Sequence, residues 1–307
     1  MRKLYINWAL FIIPILALLT LFPIDQRSKF RELSNDCFHQ SSWLYDRIVH
    51  NKKPVDVVFI GSSHTLNSIN DELITSKLKN LICTNIGYCR LGIDLNYSFA
   101  KLIIQHKKPK HIVLEIRESE DRYSHPTFPH LAENKDVLLP SIFFNKDIIS
   151  NIWTHYSYNL EVSQSRIFKN TTISPFWETN FGFASQNDTI TKEIISKLKI
   201  QEKVEPNNIF SFEEKFHLTF HRSYVKKIAE LCKHNNIQLH FLYIPTYGNI
   251  DNMPNDYFNY LKYGEVILPP NSIFKNSNNW HDESHLNTTG ANQLSLWLST
   301  YMRTWVK

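Results

Sequence analysis

Residues 55–63 read VDVVFIGSS, an apolar, β-branched run that ends in a glycine and two serines. Such a composition is typical of a strand buried on both faces, as in a parallel sheet covered by helices. Gly61 permits a tight turn directly after the run. The stretch therefore predicts the first strand of an α/β domain, with hydroxyl side chains delivered at its carboxyl end.

Three further runs of this kind follow along the chain. Residues 81–86, 111–116 (HIVLEI) and 237–244 (IQLHFLYI) are short and apolar. Apolar residues at helical spacing precede the last two runs and recur near the C-terminus, at Leu95, Phe99, Leu102, Ile103, Val225, Ile228, Cys232, Leu294, Trp297 and Leu298. Strands that alternate with amphipathic helices predict an α/β three-layer sandwich with a central parallel sheet.

The middle of the chain breaks this rhythm. Residues from about 118 to 212 are rich in aromatic side chains, Asn, Ser and Thr, and show no regular strand–helix alternation. We predict an insertion here that covers one rim of the sheet. The chain of 307 residues is then one principal domain that carries an insertion.

The N-terminus carries an apolar segment. Residues 4–24 contain no charged side chain and would form about 30 Å of helix, enough to cross a bilayer. Arg2 and Lys3 precede it and favour a cytoplasmic N-terminus. A cleaved signal peptide is the alternative, although residues 20–23 (TLFP) hold no small-x-small cleavage pattern. We predict a signal anchor in residues 1–30, a single transmembrane helix that holds residues 31–307 at the cell membrane, outside the cytoplasm.

Four cysteines, Cys37, Cys83, Cys89 and Cys232, fit this location. Outside the cytoplasm a disulfide persists, and Cys83–Cys89 is the short-range candidate. Buried free thiols are the alternative, because Cys83 and Cys232 lie in apolar, periodic stretches.

The net charge of +5 is spread along the chain. Basic runs such as residues 107–110 (KKPK) fall between a helical and a strand-like segment, where a solvated loop is the simplest interpretation. Nucleic-acid binding requires a basic face with stacking aromatic residues or a known module, and the sequence shows neither. We therefore expect no nucleic-acid partner.

The serines after the first strand are the first chemical candidates. A serine at this position can project its hydroxyl into a cleft while its own N–H faces the same substrate oxygen. Gly-x-Ser is common, however, and a polar turn with Ser as a helix cap is the alternative. The α/β-hydrolase elbow Gly-x-Ser-x-Gly is excluded, because Thr65 occupies the second glycine position.

A second candidate, residues 280–290 (WHDESHLNTTG), precedes the last helix. Asp282 lies three residues before His285, so its carboxylate can fix one imidazole nitrogen and leave the other to accept a proton from a serine. The alternatives are a surface Asp–His pair or a metal site formed by His281, Asp282 and His285, for which we find no further ligand. We expect no metal and no cofactor.

Together these motifs resemble the SGNH (GDSL-like) hydrolase superfamily. Gly61-Ser62-Ser63 resembles its Gly-Asp-Ser block, and Asp282 to Leu286 (DESHL) resembles its Asp-x-x-His block. The resemblance implies a flavodoxin-like sandwich with Ser63 as nucleophile, His285 as general base and Asp282 as its orienting acid. It also implies an oxyanion hole made by the backbone N–H groups of Ser63 and Gly87, since residues 85–87 (NIG) are similar to its second block.

Two positions depart from the family pattern. Members carry Gly-x-Asn-Asp after the third strand, where the Asn side chain is an oxyanion donor, but residues 115–120 read EIRESE. Arg117 or Ser119 could replace that donor on chemical grounds. Ser62 stands where the family has Asp. His64 and Arg117 are candidate substrate contacts.

The resemblance implies an acyl-enzyme mechanism on esters. A Gly-Ser-Ser form looks like the membrane-anchored members that modify envelope polymers, including the D-alanyl transfer protein of teichoic acid modification. We therefore expect an esterase or O-acyltransferase that acts on acyl esters, chiefly acetyl esters, of cell-surface or secreted polysaccharide. By analogy it would work beside a polytopic membrane acyltransferase. The alternative is a non-catalytic accessory or glycan-binding protein with the same fold.

Overall fold

The computed structural model of the chain describes residues 2–21, 26–33, 37, 40–118, 120, 123–138, 145–169, 180–201, 212–250, 253–254 and 256–305. Within them, five strands form one sheet: β1 Val57–Ile60, β2 Cys83–Asn85, β3 His111–Ile116, β4 Gln238–Tyr243 and β5 Glu265–Ile267. Every pairing is parallel and the order is β2-β1-β3-β4-β5. The predicted α/β class with a parallel sheet is confirmed, and β5 is a strand that the sequence pattern did not predict.

Fourteen α-helices accompany the sheet in the described part of the chain. They are α1 Arg2–Leu21, α2 Gln26–Glu32, α3 Gln40–Tyr45, α4 Ser63–Ser68, α5 Asp71–Leu78, α6 Ile93–His106, α7 Phe128–Leu131, α8 Asn134–Leu138, α9 Ile148–Lys169, α10 Lys192–Gln201, α11 Phe212–His234, α12 Tyr257–Tyr260, α13 Asn271–Lys275 and α14 Thr288–Tyr301. Shorter turns are the π-helical Asp46–His50 and the 3-10 segments Tyr247–Asn249, Ser277–Asn279 and Met302–Trp305.

Side chains of β1, β3 and β4 alternate between two separate cores. From β1, Val58 and Ile60 pack with α6 and α11, whereas Val57 and Phe59 pack with α5 and α14 on the opposite face. Each of these side chains is almost fully buried. Burying a residue of this size stabilises the fold by about 1.5–3 kcal/mol. Helices therefore cover both faces of the sheet, an arrangement that fits a three-layer sandwich.

The N-terminal helix forms, but the structure does not support the transmembrane span predicted over residues 4–24. α1 contains Pro14 and ends at Leu21, and residues 22–25 lie outside the described part. Among the described residues, none of the helices combines the length and the apolar character needed to cross a membrane. Several apolar side chains of α1 are exposed, among them Leu4, Tyr5, Trp8 and Phe11.

The region predicted as an insertion lies between β3 and β4. It holds α7 to α10 in its described parts, and α11 begins at Phe212. Residues 180–190 form neither helix nor strand. They contact α4 at one end and the start of α14 at the other. Ala184 N–H donates to Leu66 O at 3.0 Å, and Thr288 N–H donates to Gln186 O at 2.7 Å. This extended segment joins the two ends of the domain that carry the candidate motifs.

The disulfide joins Cys37 and Cys89, whose Cα atoms are 5.6 Å apart. The short-range pairing Cys83–Cys89 is therefore wrong. Cys83 begins β2 and is buried in the apolar core with α5, while Cys89 lies beyond the end of that strand. Cys83 and Cys232 are free and buried, as the alternative interpretation expected of these two residues.

Candidate active site

The turn after β1 places Ser63 at the start of α4. Ser62 is the N-cap of this helix, and its Oγ accepts a hydrogen bond from His64 N–H at 3.1 Å. A Cβ atom on Gly61 would lie 2.1 Å from Thr65 Oγ1 and 2.4 Å from Glu115 Oε2. Only glycine fits this close approach, so the turn depends on Gly61 for space.

The structure brings Ser63, His285 and Asp282 together. Ser63 Oγ–H donates to His285 Nε2 at 2.8 Å, and His285 Nδ1–H donates to Asp282 Oδ2 at 2.9 Å. An ionised carboxylate only accepts hydrogen bonds, so the proton of the neutral imidazole lies on Nδ1 and Nε2 is left as the acceptor. This is the geometry in which an imidazole can remove the proton of a serine hydroxyl.

Asp282 is held in its charged form. Burial alone would raise the pKa of this carboxyl group, but hydrogen bonds from the His285 side chain and from backbone N–H groups lower the pKa to about 2. The backbone donors are Ser284 N–H at 2.7 Å and His285 N–H at 2.8 Å. The same residue therefore shapes the loop and orients the imidazole.

The loop that carries Asp282 and His285 is closed by backbone contacts. Trp280 and Leu286 form an antiparallel bridge, and His281 N–H donates to His285 O at 2.8 Å. Trp280 is fully buried and its indole N–H donates to Phe274 O at 2.7 Å. The imidazole is thus presented by a short, well-anchored loop at the carboxyl edge of the sheet.

His64 lies beside the triad. Its ring is edge-on to that of His285, with centroids 5.3 Å apart. Burial, the Arg117 guanidinium and His285 lower the pKa of His64 to about 3, against the raising effect of Glu115. His64 is therefore neutral at physiological pH and packs against His285, and its contact with a substrate stays a prediction.

The side chain of Arg117 points toward the turn that contains Ser63. Its Nε–H donates to Glu115 Oε1 at 2.8 Å, and an Nη2–H donates to Ser62 Oγ. The side chain is mostly buried. Arg117 therefore reaches the residue next to Ser63, while Ser119, the other candidate donor, lies outside the described residues.

Gly87 follows β2, as predicted, but its N–H already has a partner. It donates to Asn85 Oδ1 at 2.8 Å. A Cβ atom at this position would lie 2.4 Å from Leu66 N, so the glycine allows the loop to pack against α4. In this arrangement the Gly87 N–H is not available to an oxyanion, and its role in the oxyanion hole stays a prediction.

Sequence reasoning did not identify two buried carboxyl groups that support the site. Glu115, noticed only as a departure from a family pattern, contacts the turn around Ser63. Asp71 accepts hydrogen bonds from Asn85 N–H at 2.7 Å and from Gly182 N–H at 2.9 Å. Burial raises the pKa of Asp71 to about 7, although those backbone donors lower it. The contacts of Glu115 and of Asp71 join residues that are far apart in sequence, so no local sequence pattern predicts them.

The described residues contain no group of three or more His, Cys, Asp and Glu side chains arranged to hold a metal ion. Both ring nitrogens of His285 are also engaged, by Ser63 and Asp282. A comparison with models of known protein families found no match, and neither did a comparison with curated proteins.

Proposed function

We propose that the protein is a serine esterase or O-acyltransferase of the SGNH kind. One observation carries the proposal: Ser63, His285 and Asp282 form a continuous hydrogen-bonded chain with distances of 2.8 and 2.9 Å. Serine, imidazole and carboxylate in this order are the arrangement that activates an alcohol for attack on an acyl carbon. These three side chains lie beyond the carboxyl ends of parallel strands, and this position supports the same function.

In the proposed mechanism, Ser63 Oγ attacks an ester carbonyl while its proton passes to His285 Nε2. The tetrahedral intermediate collapses, the carbon–oxygen bond to the leaving alcohol breaks, and His285 returns the proton to that alcohol. Water or a sugar hydroxyl then gives its proton to Nε2 and attacks the acyl-enzyme, and Ser63 recovers its proton as the acyl group leaves. Asp282 stays ionised throughout and stabilises the imidazolium.

The oxyanion would be held first by the Ser63 N–H. Of the described residues, none accepts a hydrogen bond from this group. Gly87 N–H could join only if it left Asn85 Oδ1, to which it is bonded at 2.8 Å. Lack of one donor typically raises the barrier by about 2.7–4 kcal/mol, which slows such an enzyme without abolishing its activity.

The proposed substrate is an acyl ester, chiefly acetyl, of a cell-surface or secreted polysaccharide. This proposal rests on the resemblance to membrane-anchored SGNH proteins, which also suggests a polytopic membrane acyltransferase as partner. The Cys37–Cys89 disulfide is typical of oxidising compartments and supports a domain outside the cytoplasm. The exposed apolar side chains of α1 support a membrane location.

A serine-directed fluorophosphonate probe tests the proposal. The wild-type protein should be labelled at Ser63, and Ser63→Ala should not be labelled. Ser76→Ala is the matched control, because Ser76 is an exposed serine on α5. Folded wild-type protein that takes up no label would overturn the proposal. Release of acetate from an acetylated glycan, against transfer to an added sugar, separates the esterase from the acyltransferase.

A non-catalytic glycan-binding protein is the second candidate. Two observations favour it. Gly87 N–H is already bonded to Asn85 Oδ1. Where the SGNH pattern has an Asn donor at the end of the third strand, this chain has Glu115 and Arg117, which bond to each other. Glycan binding that is equal in the wild type and in Ser63→Ala, without labelling by the probe, would support this candidate.

A further inference from the structure

A single buried carboxylate contacts the residues on both sides of the nucleophile. Glu115 Oε2 accepts hydrogen bonds from Ser62 N–H at 2.8 Å, Thr65 N–H at 2.9 Å and Thr65 Oγ1–H at 2.6 Å. Glu115 Oε1 accepts from Ser62 Oγ–H at 2.8 Å and from Arg117 Nε–H at 2.8 Å. Five donors converge on this one group, and four of them belong to the turn that contains Ser63.

The carboxylate is charged and isolated from solvent. Only 2% of the Glu115 side chain is exposed. Burial alone would raise the pKa of Glu115, but Arg117, His64 and the Thr65 hydroxyl lower it to about 2. A buried carboxylate with such a set of donors holds them strongly, since hydrogen bonds to a charged group are about twice as strong as neutral ones.

These bonds decide which N–H group of the turn remains free. The N–H groups of Ser62 and Thr65 go to Glu115, and that of His64 goes to Ser62 Oγ. Leu66 N–H donates to Ser62 O at 3.0 Å. Within the turn, Ser63 N–H is then the donor without an acceptor among the described residues. It belongs to the residue whose hydroxyl lies against His285.

Glu115 and Gly61 also depend on each other. A Cβ atom at position 61 would lie 2.4 Å from Glu115 Oε2 and 2.6 Å from Glu115 Cβ. β1 and β3 are neighbours, with Ile60 paired to Leu114, so the carboxylate projects from the adjacent strand directly beside the turn. The glycine before the serines thus makes room for the acid that binds them.

We propose that Glu115 is a positioning residue that holds the turn after β1 so that the N–H and the hydroxyl of Ser63 face the same reacting carbonyl. The inference rests on the proposed function. Glu115 does not touch the substrate; it acts through Ser62 and Thr65. In this enzyme Glu115, near the end of β3, supports the oxyanion site by holding the backbone of the turn after β1, and it does not donate to the oxyanion from its own side chain.

The test compares Glu115→Gln with Glu72→Gln, a matched change of an exposed carboxyl group on α5. The amide keeps the shape but removes the charge and turns one acceptor oxygen into a donor, which opposes the N–H and O–H groups around it. We expect the rate constant of fluorophosphonate labelling and kcat on a soluble acetyl ester to fall by about 100- to 1,000-fold, the effect of losing an oxyanion donor. KM should stay within about twofold, because ground-state binding does not use the oxyanion donor.

Thr65→Val gives a milder second variant, since it deletes one donor to Glu115 and preserves side-chain shape. We expect labelling to slow by about tenfold, the lower end for the loss of one hydrogen bond to a charged group. A purely structural role would lower the melting temperature of both variants while leaving kcat at low temperature close to the wild-type value. That result, or labelling of Glu115→Gln at the wild-type rate, would overturn the inference. Failure of the wild type to be labelled would instead overturn the proposed function.

Discussion

Ser63 Oγ and His285 Nε2 are 2.8 Å apart, although 222 positions separate the two residues in the chain. One follows the first strand of the sheet, and the other precedes the last helix. A parallel sheet makes this meeting possible, because all strands release their carboxyl ends at the same edge.

Asp282→Asn should lower kcat/KM for an acetyl ester by about 10³- to 10⁴-fold, with the protein still folded. The amide can donate to Nδ1, which moves the imidazole proton to Nε2 and removes the acceptor for Ser63. Glu283→Gln is the control, since Glu283 is the exposed neighbour in the same loop. Equal rates for the two variants would show that Asp282 does not orient His285.

The stability of the domain should fall as the pH drops from about 6.5 towards 4. Burial, His240 and Lys110 lower the pKa of His111 from 6.5 to about 4, against the raising effect of Asp56. Between these values the unfolded chain binds more protons than the folded one, so stability is complete above 6.5 and is lost on acidification. Trp305 stacks on His111 with ring centroids 4.6 Å apart. The combined fluorescence of the seven Trp residues can follow unfolding.

Urea titrations at pH 8, 6 and 5 measure this dependence. His111→Gln should flatten the slope of unfolding free energy against pH, whereas His234→Gln, at an exposed histidine, should leave the slope unchanged. A slope that is the same in His111→Gln and in the wild type would assign the acid sensitivity to other groups.

Cys37→Ser should lower the free energy of unfolding by about 4 kcal/mol, the chain-entropy value for a loop closed across a sequence separation of 52. A reductant should bring the wild type to the same level. Cys83→Ala is the comparison, because Cys83 is a free buried thiol and its loss should not remove the sensitivity to reductant. Wild-type stability that is unaffected by complete reduction would contradict the prediction.

Gly182→Ala should destabilise the protein by about 1–3 kcal/mol, the usual effect of overpacking. The new Cβ would lie 1.8 Å from Asn85 O, so residues 180–184 would have to leave Asp71 and the end of β2. Gly248→Ala is an ideal control, since no atom lies within 4 Å of a Cβ at that position. Thermal melts of the two variants make the comparison, and equal melting temperatures would contradict the packing described here.

The sequence identified those parts of the molecule that have a local signal. Apolar β-branched runs at residues 55–60 and 111–116 correspond to β1 and β3, and the motif around Ser63 lies where a strand-ending turn was expected. The contact between Asp282 and His285 could be predicted because residues three positions apart fit within one loop. Each of these features depends on residues that are near neighbours in the chain.

The remaining features depend on contacts between distant segments. Glu115 is one polar residue in an apolar strand, and its partners lie 50 and 53 positions earlier. Residues 180–190 have no periodic pattern, yet they join α4 to the start of α14. The pairing of Cys37 with Cys89 needed a chain path that spacing alone does not give. β5 has three residues and is too short for a periodicity argument.

The order of synthesis gives the distance between Ser63 and His285 a further meaning. At 5–20 residues per second, a ribosome needs on the order of 10–40 s to add the 222 positions that separate the alcohol from its base. During that time the nascent polypeptide carries Ser63 without the imidazole of His285. The proposed ester-cleaving activity therefore requires that residue 285 has been added, because Ser63 has no imidazole to take its proton before then.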